Sequence, residues 1–180
     1  EQLAADIASY NLDVAVISET HFKSRHTDSV VGVDGYSVFR RDRTGRRGGG
    51  VALYVRSTIQ ASVWTYSADD RTYELHWVRV GSNVFVGAVY HPPKAVYQTV
   101  ELLDYIEACV EELNHDFPAA FVVLAGDLNQ LRDQDLVERT GLTQIVHQPT
   151  RGANILDRVY VSCPRYTSNT TVRVVASVVK

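Results

Sequence analysis

An acid and an amide stand two positions apart at the end of an apolar run. The run FVVLAG at 121–126 predicts a buried strand, and Asp127 and Asn129 follow it. Side chains two positions apart on an extended segment point the same way, and Gly126 lets the backbone bend and lets a bulky group approach. The pair can therefore hold a phosphate, a water or a cation at the rim of a core. An Asx turn that leaves the strand explains the same residues equally well without any chemistry.

Three more polar side chains adjoin predicted strands. Glu19 follows the run DVAVIS, and a carboxylate there needs a cation or a donor. Mg²⁺ fits, because it binds one or two carboxylates and completes its shell with water and phosphate; a solvated acid is the alternative. Tyr90 ends the most apolar strand, where it either donates to a phosphate or packs in the core with a solvated tip. Asp157, inside ILDRVYVS, either orients a catalytic histidine or pairs with an arginine.

A cluster of arginines precedes a glycine triplet. Five arginines, Arg46 and Arg47 among them, lie within eight positions of the stretch RRDRTGRRGGG at 40–50. Such a cluster can bind a nucleic-acid backbone, or it can be the solvated loop of a hairpin. No helix follows the glycines, so they are expected to lead tightly into a strand rather than to cradle a phosphate.

The elements that must position these residues are mostly strands. Helices are predicted at 1–11, 99–114 and 133–141, and strands at 13–19, 51–56, 73–80, 83–90, 121–126, 142–148, 155–162 and 171–179, with mostly loop at 20–37. Strands outnumber helices, and several neighbours are close enough for hairpins. This favours two packed sheets with helices outside them, and a doubly wound parallel sheet is the alternative.

Composition indicates one globular domain over residues 1–180. The chain is 45% hydrophobic and 22% charged, and its formal charge is -3, so nucleic-acid binding would require local basic patches. No apolar run is long enough for a membrane span, and no signal peptide is present. Two cysteines without metal-binding spacing favour a reducing compartment. The chain lacks methionine and opens within a helical pattern, so we expect a segment of a longer chain.

Six short segments, taken in order, resemble the endonuclease/exonuclease/phosphatase superfamily. The likeness is greatest to the apurinic-type endonuclease domain of non-LTR (LINE-type) retrotransposons. The segments are ISET at 17–20, RRGGGVALYV at 46–55, GAVYHPP at 87–93, GDLN at 126–129, PTR at 149–151 and ILDRVYVS at 155–162. Each is weak alone, but together they span nearly the whole chain.

The resemblance implies a fold and an activity. The expected fold is α+β, a four-layered α/β/β/α sandwich of the DNase I-like type. The expected activity is nicking of DNA by a phosphodiesterase that uses Mg²⁺, with Mn²⁺ as the alternative, in the nucleus or the cytoplasm.

The resemblance also implies roles at the matching positions. Glu19 would be the principal metal ligand, and Tyr90 would touch the scissile phosphate. Asp127 would position or activate the attacking water or help the leaving group, and Asn129 would hold a phosphate oxygen or that water.

Further positions would contact the substrate or support catalysis. Thr150 and Arg151 would lie near the DNA backbone, where Arg46 and Arg47 would add contacts. Asp157 would orient a catalytic histidine.

Two motifs of the family are not in this sequence. They are an N-terminal strand that carries an asparagine and a C-terminal Ser-Asp-His segment. We therefore expect a sandwich that is incomplete at both ends, little or no nuclease activity in this segment, and self-association through exposed strand edges. The alternatives are a superfamily branch that acts on phospholipid or RNA, and a non-catalytic remnant that binds nucleic acid or protein.

Overall fold

The computed structural model describes residues 2–162 and 171–175. Along the chain these residues form α1 (Gln2–Ser9), β1 (Val14–Ser18), α2 (Asp28–Val31), β2 (Tyr36–Arg41), β3 (Val51–Arg56), β4 (Ala61–Trp64), β5 (Glu74–Val80), β6 (Val84–Tyr90), α3 (Thr99–Asp116), β7 (Phe121–Asp127), α4 (Asp133–Thr140), β8 (Thr143–Gln144) and β9 (Asp157–Val161).

The strands of the described residues form two sheets. The small sheet has the order β1-β3-β2 and is antiparallel throughout. The large sheet has the order β4-β5-β6-β7-β9-β8, in which only β6 and β7 are parallel. Tyr90 of β6 is in register with Asp127 of β7, which faces Asp157 of β9. The topology therefore places three of the predicted site residues in one row across the sheet.

Among the described residues, buried apolar side chains form three clusters, each between two adjacent layers of the fold. Between the sheets, Leu53 of β3 packs with Val78 of β5 and Ala88 of β6. On the outer face of the large sheet, α3 and α4 bury a second cluster that includes Leu102 and Ile106. Helix α1 covers the outer face of the small sheet. The predicted four-layered α/β/β/α sandwich is confirmed.

The helix that joins β6 to β7 is an amphipathic element, as the sequence predicts. Its buried residues recur at helical spacing: Leu102, Leu103, Ile106, Cys109, Val110 and Leu113. Its N-cap is Gln98, whose N–H donates to the Glu101 carboxylate at 2.6 Å in a capping box. Val100 has the same helical spacing but is exposed.

Two edge strands were not predicted. β2 begins at the end of the loop predicted at 20–37 and ends in two arginines, and β4 is short and half exposed, so neither shows an apolar alternation. The strand predicted at 142–148 is only the two residues of β8. Residues 171–175 are not in a strand, and 176–179 lie outside the described residues.

Gly126 is required by the packing of β6 against β7. Its φ is 153°, and a Cβ atom there would lie 1.8 Å from the carbonyl oxygen of Val89. The space that the sequence suggested for a bulky group is therefore occupied by the neighbouring strand.

Replacing Gly126 with alanine should destabilise the fold by more than about 3 kcal/mol, because backbone atoms on both sides of the clash are fixed by the sheet. Urea unfolding measures the loss. Gly141→Ala is the matched control: Gly141 also has a positive φ of 69°, but nothing lies within 4 Å of an added Cβ, so its loss should be only about 1–2 kcal/mol. Equal losses in the two variants would contradict the assignment.

Candidate active site

Glu19 lies in a constrained turn directly after β1. Its φ is 54°, an uncommon value for a residue other than glycine. The turn is held from the glycine triplet, since Thr20 donates its N–H to the Gly50 carbonyl at 3.2 Å and His21 donates to the Gly49 carbonyl at 2.8 Å. The Glu19 side chain is exposed, and its Oε1 accepts the Tyr90 hydroxyl at 2.5 Å. The glycines thus hold the turn that presents this carboxylate.

Tyr90 is buried at the end of β6, and its hydroxyl donates a hydrogen bond to Glu19. Burial raises its pKa, and the hydrogen bond to the Glu19 carboxylate raises it further, while the nearby Arg43 opposes the shift. The phenol is therefore protonated at neutral pH and acts as a hydrogen-bond donor.

Arg43 lies over the Tyr90 ring, 5.5 Å from the ring centroid. It is fixed there by the buried Glu74, whose Oε1 accepts the Arg43 Nε at 2.7 Å and one of its terminal nitrogens. The other oxygen of Glu74 accepts the N–H of Gly50. This ion pair joins the arginine-rich loop to the wall of the site, so Arg43 is not a free solvated charge.

Ser18 joins the two sheets at the site. Its hydroxyl accepts the N–H of Asp127 at 3.1 Å and donates to the Val89 carbonyl at 3.3 Å. Because Ser18 is the last residue of β1, this link places Glu19 beside the ends of β6 and β7.

Asp127 is the most buried acid of the site, with 2% of its surface exposed. Its Oδ1 accepts the N–H of Asn129 at 2.9 Å, and its Oδ2 lies 3.7 Å from the Arg151 guanidinium. Burial raises its pKa above the ordinary 3.8, and the charges of Asp157 and Glu19 raise it further, against the opposing effects of Asn129 and Arg151. The site therefore concentrates negative charge that a bound cation would neutralise.

Asn129 is held next to Asp127 in a left-handed conformation, with φ of 44°. Its Nδ2 donates to the His91 carbonyl at 2.8 Å. The predicted Asx turn is therefore present, since the Asp127 carboxylate accepts the Asn129 N–H, and it occurs within the predicted site rather than instead of it.

Asp157 stands at the start of β9 and is exposed, whereas the sequence suggested a position in mid-strand. Thr150 Oγ1 accepts the N–H groups of Leu156 and Asp157, at 3.0 and 3.1 Å. Thr150 thus shapes the turn before Asp157, and Arg151 beside it is exposed. Within residues 2–162 and 171–175, no histidine is hydrogen-bonded to Asp157.

Arg46 and Arg47 lie apart from the carboxylates. Both are exposed on the loop between β2 and β3, and Arg46 lines a cleft of about 590 Å³ together with His21, Lys23 and Arg71. Neither makes an ion pair with an acid elsewhere in the described residues. The cleft that Arg46 lines includes His21, which is two residues after Glu19 in the sequence.

Sequence reasoning missed the residues that hold the site together, chiefly Ser18, Arg43 and Glu74. Ser18 had one available signal, its position immediately before Glu19 at the end of a buried strand. Arg43 and Glu74 are 31 positions apart, and no local pattern connects them.

The site offers carboxylate and amide oxygens, which are ligands for a hard divalent cation, and the Tyr90 hydroxyl, which can donate a hydrogen bond to a phosphate. In residues 2–162 and 171–175 there is no group of three or more His, Cys, Asp or Glu side chains placed to hold a metal ion on their own. An ion bound by one or two carboxylates would have to complete its coordination shell with water and substrate.

A sequence profile of the Endonuclease/Exonuclease/phosphatase family matches residues 1–175. The chain belongs to this family. A search of curated protein sequences gave no significant match. None of the helices in residues 2–162 and 171–175 combines the length and the hydropathy that a membrane span requires.

Solved structures share the fold of this Endonuclease/Exonuclease/phosphatase chain at low sequence identity. Truncated TDP2 from Caenorhabditis elegans is 18% identical, with a TM-score of 0.63 over 90% of this chain and 75% of that one. The AP endonuclease LMAP from Leishmania major is 16% identical, with a TM-score of 0.61 over 89% and 73%. TDP2 from D. rerio, complexed with a single-strand DNA product, is 14% identical, with a TM-score of 0.54 over 88% and 74%. These likenesses establish the DNase I-like fold.

Asp127→Asn should stabilise the metal-free protein by roughly 0.5–2 kcal/mol at neutral pH, because it removes like-charge repulsion while keeping an oxygen for the Asn129 N–H. A raised folded-state pKa makes wild-type stability fall as pH rises through it, so the gain should vanish at about pH 3, below the ordinary 3.8. Thermal unfolding across pH measures this. Asp135→Asn on α4 is the control and should bring no gain in stability at neutral pH; a destabilised Asp127→Asn at neutral pH would contradict the prediction.

Proposed function

We propose that this chain is the metal-dependent phosphodiesterase domain of a retrotransposon-type endonuclease, and that it acts by nicking DNA. The observation that supports this most is the convergence of Glu19, Tyr90, Asp127 and Asn129, which come from three strands of two sheets. We also propose that residues 1–180 belong to one domain, that it resides inside the cell, and that the exposed edge of β4 allows self-association.

The residues present fit a magnesium ion, with Mn²⁺ as the alternative. The Glu19 carboxylate is exposed and would be the principal ligand, and the nearby Asp127 would add a second negative charge. All donors are oxygens, as a hard cation requires, and their number leaves places for water and a phosphate oxygen. When bound, the ion would supply charge neutralisation on the phosphoryl oxygens.

The chain's own groups would complete a phosphodiester cleavage. The protonated Tyr90 hydroxyl can donate to a phosphate oxygen beside Glu19. Asp127, whose pKa is raised, can accept a proton from an attacking water or give one to the leaving group. Asn129 can orient that water or a phosphate oxygen.

We propose that this chain alone turns over slowly. Asp157 is placed beside Asp127, but no histidine in the described residues contacts it, so a general acid–base partner would be lacking there.

The DNA backbone would cross two basic regions on either side of the carboxylates. Arg151 and Thr150 flank Asp127 on one side. The cleft beyond His21, with Arg46 lining it and Arg47 on its loop, flanks Glu19 on the other. The segments GAVYHPP, PTR and ILDRVYVS support a retrotransposon-type domain over a branch that acts on phospholipid or RNA.

Mg²⁺ at tenfold its Kd should stabilise the protein by about 1.4 kcal/mol and raise Tm by about 3–6 °C, because only the folded state holds Glu19 and Asp127 together. Glu19→Gln should abolish the shift, and Glu138→Gln, an exposed acid on α4, should preserve it. Supercoiled plasmid should be nicked slowly with Mg²⁺, and at least about tenfold more slowly by Glu19→Gln.

Absence of both the Mg²⁺ shift and Glu19-dependent nicking would overturn the phosphodiesterase assignment. Rapid Glu19-dependent nicking would overturn only the proposal of low activity. Faster cleavage of RNA or of phosphoinositide in vesicles than of plasmid would favour the other superfamily branch.

Arg46→Ala should lower the slope of log Kd against log salt for duplex DNA by about 1, because one phosphate contact and its counterion release are lost. Fluorescence anisotropy at several salt concentrations measures the slope. Arg139→Gln is the control, since that arginine is already paired with Asp104 and Glu107. An Arg46→Ala slope equal to that of wild type would remove this cleft from the DNA path.

A further inference from the structure

Arg158 is buried beneath the segment that carries Asn129, with 8% of its surface exposed. It follows Asp157 in β9, so the two side chains lie on opposite faces of the strand. Its terminal nitrogens donate to the carbonyls of Leu131 at 2.5 Å and Asn129 at 2.9 Å, and its Nε donates to the carbonyl of Ile155 at 2.9 Å. One guanidinium therefore ties together two segments that reach the site separately.

Arg158 forms an ion pair with Asp133. Its Nη1 lies 3.3 Å from Oδ1 of Asp133, the first residue of α4. The same carboxylate oxygen accepts the hydroxyl of the buried Tyr160 at 2.5 Å. A buried cation with this set of partners is costly to remove, because three carbonyls would each lose a donor and Asp133 would lose its cation.

The clamp, which is Arg158 with the carbonyls of Asn129, Leu131 and Ile155, acts on an uncommon backbone conformation at Asn129. Asn129 has a φ of 44°, a left-handed conformation that asparagine adopts more often than other L-residues but that is still uncommon outside glycine. Asp127 accepts the N–H of Asn129, His91 accepts its Nδ2, and Arg158 donates to its carbonyl. Arg158 thus supplies the contact that fixes the far side of this peptide.

We infer that Arg158 is a positioning residue for the phosphodiester cleavage proposed above: it holds Asn129 in the left-handed conformation that aims its side chain at the phosphate. The inference rests on the proposed function for its catalytic consequence, and on geometry alone for the clamp. Arg158 acts through Asn129, since it is covered by the segment that it holds.

The guanidinium fork is essential to this role. A lysine would keep a charge for Asp133, but it has no Nε donor on a rigid plane and cannot serve three carbonyls in fixed directions. Arg158→Lys is therefore the informative variant. Asp133→Asn is its matched control, because it removes the acid and leaves the three carbonyl contacts in place.

Amide hydrogen exchange tests the clamp without any catalysis. In Arg158→Lys the N–H of Asn129 should exchange at least about tenfold faster, while amides in the middle of β7 keep their wild-type rates. Asp133→Asn should retain most of the protection at Asn129. Unchanged exchange at Asn129 in Arg158→Lys would overturn the inference.

Kinetics distinguish positioning from simple stabilisation. Per folded molecule, Arg158→Lys should lower kcat for Mg²⁺-dependent plasmid nicking by about tenfold or more and leave KM within about twofold. An unchanged kcat per folded molecule would reduce Arg158 to a structural role and overturn the inference. If wild type shows neither the Mg²⁺ shift nor any nicking, the proposed function fails, and the exchange result still decides the clamp.

A measurement on the wild-type protein covers the case in which the variant does not fold. The Nε–H proton of Arg158 should be observable by NMR and slow to exchange, because it donates to the Ile155 carbonyl in a buried position. Rapid exchange of that proton with solvent would overturn the inference.

Discussion

The hydroxyl of Ser18 is the contact on which the candidate site depends. It bridges the Val89 carbonyl of β6 and the Asp127 N–H of β7, so one side chain of the small sheet spans two strands of the large one. The next residue is Glu19, whose carboxylate meets the Tyr90 hydroxyl. A shift of β1 by a single residue would reverse which side chains face the large sheet and would remove the carboxylate from the site.

The site is held in an arrangement that its own residues do not favour. Glu19, Asp127 and Asp157 bring three negative charges together, and both Glu19 and Asn129 have positive φ angles. Charge and strain of this kind persist only where the surrounding structure enforces them, and they are frequent at functional sites. Here the Gly49 and Gly50 carbonyls hold the turn at Glu19, and the buried Arg158 donates to the carbonyl of Asn129.

The two arginine–acid pairs have corresponding positions on the two sides of the site. Arg43, fixed by Glu74, lies against the Tyr90 ring. Arg158, beside Asp133, holds the carbonyl of Asn129. Tyr90 and Asn129 are thus each backed by an arginine, which fixes the positions of these two polar side chains. Membership of the Endonuclease/Exonuclease/phosphatase family and this preorganisation both support the proposed phosphodiesterase function.

The sequence by itself determined where strands end in polar residues: Glu19, Tyr90 and Asp127 each close an apolar run, and α3 was visible from its spacing. It did not reveal β2 and β4, because edge strands bury too little to show a pattern. Nor did it reveal that Arg43 pairs with Glu74, that Thr150 shapes the turn before Asp157, or that Asp157 begins its strand. Local periodicity records only which face of a segment is buried, whereas ion pairs, register and strained turns depend on partners tens of residues away, and only the packed sheets bring those together.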